Sequence, residues 1–394
     1  MRRQASTAPV GPMKVFPAAA GNNRKRIYSI KEVLHRSLLL SRVFWDPGMA
    51  SRVGIGLLVL LTVAAFSCVE AGKGIPALWV FGDSTVDTGN QNYITSVIKS
   101  NYPPYGRDFV PPGPTGRFCN GKVPNDFLAD YLEIPRPVNF LSQEAKGGRI
   151  LTGVNFASSG SGFLDITGLL FGVMNLTRQL DNFGKIKKDM IAQIGEAETE
   201  RILTTSIYLV STGSNDFVNS YNINPILQHA FTPKQYEDLL LSTIETNLKT
   251  LHGYGARTLY FNSLSPIGCV PEQLNFFNSK DGACLEKVNG PLKSFNKGLQ
   301  DLLARLRQEI PDYNLHYVNV YDTLFGAITT PEKYGFKYGN TACCGEGAYN
   351  GLPCLPAVSK QCDNADEYVF WDLFHPSQKT YEMLTNDIIK QSGL

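Results

Sequence analysis

The chain has 394 residues, 43% of them hydrophobic, and its formal net charge of +2 averages two unlike parts. Ten of its 37 Lys/Arg but only two of its 35 Asp/Glu lie in the first 52 residues, leaving 27 basic against 33 acidic side chains in the rest. A mildly acidic body of that kind excludes a nucleic-acid partner, and about 320 residues suffice to bury a large core in one domain.

Residues 1–48 read as a basic, disordered extension, in which Arg24-Lys25-Arg26 is a solvated charge run. From Gly54 to Phe66 the sequence is apolar, bounded by Arg52 and by Val69-Glu70-Ala71. This run is shorter than the roughly 20 residues of a membrane span, so residues 49–71 are expected to be a secretory signal peptide, with an uncleaved anchor as the alternative. The folded domain then covers 72–394 and lies outside the cell or in its wall. Asn175-Leu-Thr177 is its one glycosylation sequon. Cys68 falls within the signal. In an oxidising compartment the other seven cysteines favour disulfides; a zinc cluster of Cys343, Cys344, Cys354 and Cys362 would lack C-x-x-C knuckles.

Short β-branched runs then alternate with helical stretches. A strand over Ala77–Phe81 precedes a Pro/Gly-dense segment, Asn101–Gly121, expected to be a surface loop, and a helix over Asn125–Leu132. Strands follow at Gly153–Ala157, Ile207–Ser211, Thr258–Asn262 and Leu315–Tyr321, separated by helices over Leu176–Ile194, Pro233–His252 and Leu285–Ile310. Gly335–Cys362 is a stapled loop, and a last helix starts from Pro376. This order predicts a three-layer α/β/α domain with a five-stranded parallel sheet, flavodoxin-like in class, whose ligand sits at the carboxyl ends of the strands.

Three of those strand ends carry polar residues. The first stops at Gly82-Asp83-Ser84, which puts a hydroxyl on an exposed turn. A serine attacks an ester only if a base takes its proton, and the folded part offers His229, His252, His316 and His375. Only His375 has a carboxylate three residues before it, Asp372, placed to hold the imidazole tautomer. The third strand ends in Gly213-Ser214-Asn215-Asp216, where Asn215 offers an amide N–H to an oxyanion. The second ends in Gly160-Ser161-Gly162, whose backbone allows close approach; no glycine stands at 165, so a dinucleotide fingerprint is disfavoured. The G-x-S-x-G elbow of ordinary α/β-hydrolases is absent.

Phe81-Gly-Asp-Ser84-Thr-Val-Asp87-Thr-Gly-Asn90, Gly153–Gly162, Gly213-Ser-Asn215-Asp216 and Asp372-Leu-Phe-His375-Pro together resemble the four blocks of plant-type GDSL esterase/lipases of the SGNH hydrolase superfamily. The resemblance implies Ser84 as nucleophile, Asp372 and His375 as the base pair, and an oxyanion hole from the Ser84 N–H, a block-two glycine and Asn215. Gly162 is preferred for that glycine, with Gly160 as the alternative. Thr85 stands where the family usually has Leu, which implies altered local packing. The expected activity is hydrolysis of small-molecule or lipid esters without metal or cofactor, with a lipid or cell-wall surface as a further contact. An acyltransferase, an inactive carbohydrate- or lipid-binding module and a redox protein are the alternatives. Cys269 with Cys284 is expected to close a short loop, and the four cysteines from 343 to 362 to form two bridges, leaving Cys119 unpaired.

Overall fold

A computed structural model describes residues 74–394; the extension, the signal peptide and Cys68 lie outside the described residues. At its centre β1 (Leu78–Gly82) is buried along its whole length, as a parallel strand covered on both faces must be. The sheet runs in the order β2 (Val138–Asn139), β3 (Val154–Asn155), β1, β4 (Ile207–Ser211), β5 (Thr258–Asn262), β6 (Asn314–Val318), every pair parallel. Five of these strands give the flavodoxin order, in which the order of strand addition reverses between β1 and β4. Ten helices accompany them among the described residues: α1 (Pro124–Leu132), α2 (Leu176–Ile194), α3 (Glu196–Thr205), α4 (Ser214–Val218), α5 (Pro225–Ala230), α6 (Pro233–Tyr254), α7 (Pro271–Phe276), α8 (Glu286–Glu309), α9 (Val320–Thr329) and α10 (Gln378–Ser392). On one side α1, α9 and α10 pack together; on the other, α2, α6 and α8 do. Phe183 of α2 meets Trp79, Phe81 and Tyr208 edge-on, anchoring that helix to the sheet.

The sheet has one strand more than the five predicted. β2 is two residues long, too short to show a period, and is held at the edge by Val138 N and Phe140 N donating to Gly153 O and Asn155 O. The predicted strand Leu315–Tyr321 ends at Val318, because Asn319 caps α9 by accepting from Asp322 N. A second correction concerns Asn101–Gly121. It is no plain surface loop, for Tyr105 and Phe118 are buried and pack against Trp371 and His375.

The cysteines pair as Cys269–Cys284, Cys343–Cys362 and Cys344–Cys354. The last two fasten the segment that carries β7 (Tyr338–Ala342), β8 (Cys344–Gly345) and β9 (Lys360–Gln361), and β7 pairs with β10 (Tyr368–Phe370), directly before Asp372. Cys119 is free and buried; burial holds its thiol far above the ordinary range, which keeps it uncharged.

Candidate active site

β1 ends because Gly82 lies so close to β4 that a Cβ there would come within 2.2 Å of Ser211 O. The chain then turns: Asp83 O accepts from Val86 N and Asp87 N, and half-buried Ser84 stands on this turn beyond the carboxyl edge of the sheet. Asp83 Oδ1 accepts from Thr85 N at 2.9 Å and Thr85 Oγ1 at 2.8 Å. Burial raises the Asp83 carboxyl to about 6, against the hydrogen bonds from Thr85 and the nearby His375. Thr85 thus does what a leucine could not. Its single proton goes to Asp83, so Ser211 Oγ is the donor in the 3.0 Å contact between the two hydroxyls.

His375 sits in a tight turn that Asp372 itself closes, with Oδ1 accepting from Phe374 N at 2.9 Å and His375 N at 2.7 Å. The ring Nδ1 lies 2.8 and 2.9 Å from the two carboxylate oxygens, and Nε2 lies 2.8 Å from Ser84 Oγ. With Nδ1 donating to Asp372, Nε2 is left as the acceptor for the Ser84 hydroxyl. Asp372 is fully buried, which alone would raise its carboxyl. The adjacent His375, the Tyr105 hydroxyl and the Phe374 N–H outweigh burial and hold it below the usual range. Phe118 lies against the imidazole face, with ring centroids 4.7 Å apart.

Tyr105 is the partner that sequence reasoning missed. Its hydroxyl donates to Asp372 Oδ2 at 2.7 Å and is itself buried. Only the crowding of Pro and aromatic residues around it in Asn101–Gly121 could have drawn attention to it. A donor to the carboxylate stabilises its charge and fixes its plane against the imidazole. Tyr105→Phe should therefore lower kcat by roughly ten- to a hundredfold, the worth of one hydrogen bond to a charged group. The acid limb of kcat/KM should move to higher pH, because a less satisfied carboxylate draws a proton onto His375. A pH–rate profile of the purified variant reads both effects; an unshifted limb with full kcat would assign Tyr105 a packing role only.

Asn215 enters from the start of α4, directly after Gly213, whose φ of +117° suits glycine and whose Cβ would strike the Phe163 ring. Asn215 Nδ2 donates to Ser161 O at 2.9 Å and Oδ1 accepts from Asn219 Nδ2 at 2.7 Å, so the amide is fixed with one N–H left for a ligand. The two candidate glycines separate clearly. Gly160 lines the cavity that holds Ser84, His375 and Asn215. Gly162 packs on Asp216, where a Cβ would come within 2.3 Å of Oδ2. Of the two, Gly160 is the one that lines the cavity.

Buried carboxylates hold these strand ends in register. Asp87 accepts from Gly89 N, Asn90 N, Ser159 N and Ser159 Oγ, and Asn90 donates to Asn155 O and Ala157 O, tying the first turn to the second. Asp216 accepts from Phe163 N, Leu164 N and Thr167 Oγ1, and its burial raises it to about 6. The cavity measures about 300 Å³ and is mostly apolar beyond these groups. A hydroxyl bonded to an imidazole, a carboxylate behind it and amide donors beside it form the arrangement of nucleophilic acyl transfer. The other serines that line this cavity, Ser211, Ser214, Ser263 and Ser265, make no hydrogen bond to a histidine among the described residues.

The sequence pattern of the GDSL-like Lipase/Acylhydrolase family matches residues 78–388. A GDSL esterase/lipase of Arabidopsis thaliana is 39% identical over 339 residues, covering 84% of this chain and 96% of the relative. A second from the same plant is 40% identical over 338 residues, covering 85% and 96%. The Arabidopsis GDSL esterase/lipase APG is 36% identical over 338 residues with the same coverage.

Proposed function

The chain belongs to the GDSL-like lipase/acylhydrolase family and is a hydrolase of carboxylic esters, and on that premise we propose that it works through an acyl-enzyme on Ser84. The 2.8 Å contact between Ser84 Oγ and His375 Nε2 carries the reading. Nε2 takes the proton as Oγ bonds to the ester carbonyl carbon, and Asp372 stabilises the resulting imidazolium. We assign the stabilisation of the negative charge that develops on the carbonyl oxygen to the Ser84 and Gly160 N–H groups and the Asn215 amide. His375 then returns the proton to the leaving alcohol, and water, deprotonated by the same nitrogen, releases the acid.

We place the protein on the secretory route, with residues 49–71 as signal and one glycan at most, at Asn175. Three disulfides in the described part support that compartment. A lipid or cell-wall surface is the substrate setting we favour.

An acyl-enzyme partitions between water and added alcohol after the first alcohol has left. With methanol present, the ratio of methyl ester to free acid should therefore be the same for p-nitrophenyl, phenyl and ethyl esters of one acid. A ratio that changes with the leaving group, or the absence of any ester cleavage, would contradict the proposal. A ratio far above that set by the methanol concentration would favour the acyltransferase alternative.

A further inference from the structure

Two segments, residues 93–99 and 163–173, flank the Gly160 turn at the edge of the cavity. They pack on each other and on that turn. A Cβ at Gly172 would stand 3.6 Å from Thr95 O, one at Gly168 2.5 Å from Gly160 O, and one at Gly160 2.7 Å from Ile98 Cδ1. Gly168 and Gly172, with φ of +71° and +64°, bracket a single 3₁₀ turn, Leu169–Phe171, and their left-handed backbone sets it out from the body. Phe171 of this turn and Ile98 of the other segment line the cavity that holds Ser84.

The side chains these segments leave in solvent are apolar. Leu170 is 95% exposed, Val97 85%, Leu169 67% and Tyr93 57%. A single exposed apolar residue is ordinary, but four on two adjoining segments at one cavity mouth mark a contact surface. Charge says which partner fits. The two segments carry one cation, Lys99, and one anion, Asp165, which accepts from Asn175 Nδ2. With no net charge, the patch has nothing to draw an anionic membrane. A second copy of the chain seated here would cover the mouth through which an ester must enter. Building on the esterase reading above, we propose that Leu169 and Leu170, with Val97 and Tyr93, dock the protein on the uncharged surface of a droplet of undissolved ester and hold the cavity mouth against it.

The contact acts on delivery and not on the chemistry. Each segment offers one side chain to the cavity and others to solvent: Phe171 lines the cavity while Leu169 and Leu170 are exposed, and Ile98 lines it while Val97 is exposed. An ester molecule in the docked surface therefore meets Phe171 and Ile98 without first crossing water. Moving one leucine side chain from water into an apolar phase favours the docked state by at least about tenfold, and two such side chains by roughly a hundredfold. Since no Coulomb attraction contributes, docking should not weaken with salt. A dissolved ester gains nothing from the patch, so the two kinds of substrate separate docking from turnover.

The test uses the Ser84→Ala protein, which turns nothing over, and triolein droplets coated with phosphatidylcholine, collected by flotation. The protein should float with the droplets to the same extent at low and high salt. Leu170→Ser in the same background should weaken binding about tenfold, and Leu169→Ser with Leu170→Ser roughly a hundredfold. Both side chains stand in solvent, so neither change disturbs the fold. With Ser84 in place, the double change should slow hydrolysis of a tributyrin emulsion by a similar factor and leave kcat/KM for dissolved p-nitrophenyl butyrate at the parent value. No flotation of the Ser84→Ala protein, equal flotation of the double variant, a preference for phosphatidylserine vesicles that falls with salt, or a dimer that the double variant dissolves overturns the proposal. Hydrolysis of dissolved p-nitrophenyl butyrate by the parent reports separately on the esterase reading, because flotation needs no turnover.

Discussion

Ser84→Ala is expected to lower kcat toward simple esters by roughly 10⁴- to 10⁶-fold, with a far-ultraviolet spectrum and Tm close to those of the parent. The size of the loss follows from the geometry. The cavity holds four other serines, Ser211, Ser214, Ser263 and Ser265, but Ser84 is the hydroxyl that meets the imidazole, at 2.8 Å. Little stability should be lost, since Ser84 is half-buried on a turn whose closing bonds come from the Asp83 backbone and side chain. His375→Ala should cost about as much, and the double variant no more than either single one, because the two act in one proton transfer. Initial rates with p-nitrophenyl butyrate across the three variants decide the matter.

Asp372→Asn should be nearly as severe, on the order of 10⁴ in kcat. The reason is the fixed orientation of this carboxylate. Its Oδ1 receives the N–H groups of Phe374 and His375, so an amide in its place must keep its oxygen there. The NH₂ then occupies the place of Oδ2, 2.9 Å from His375 Nδ1, and donates to it. The imidazole proton is driven to Nε2, which can no longer accept from Ser84. A wrong tautomer is not cured by base, so the rate should stay low across the alkaline range in which the parent is fully active. Recovery of the rate at high pH would point instead to a simple change in the His375 ionisation.

The parallel sheet was legible because β1, β4 and β5 are continuous apolar runs bounded by Gly, Ser and Asn, and their ends were read correctly to within a residue. β2 escaped because its two residues are held by edge hydrogen bonds and not by any pattern. α2 was read with its end at Ile194, and α3, which begins directly after Gly195, was left unassigned before β4. Within the site, spacing alone could pair His375 with Asp372, since the turn between them is local. Tyr105 lies 267 positions from Asp372 and reaches it through a loop whose composition suggested exposure. Which of Gly160 and Gly162 lines the cavity likewise depends on the position of Asp216, which fills the space beside Gly162.

The most direct test of the central claim is the site of covalent capture by an active-ester phosphonate, read by peptide mass spectrometry after incubation with the folded protein. The reagent places a tetrahedral phosphorus at the nucleophile and depends on the same base. One adduct is expected, on Ser84 in the segment Phe81–Asp87, and it should be lost in the His375→Ala protein. A stable adduct on Ser211 or Ser214 with Ser84 unmodified, or labelling of Ser84 that persists undiminished without His375, would contradict the account.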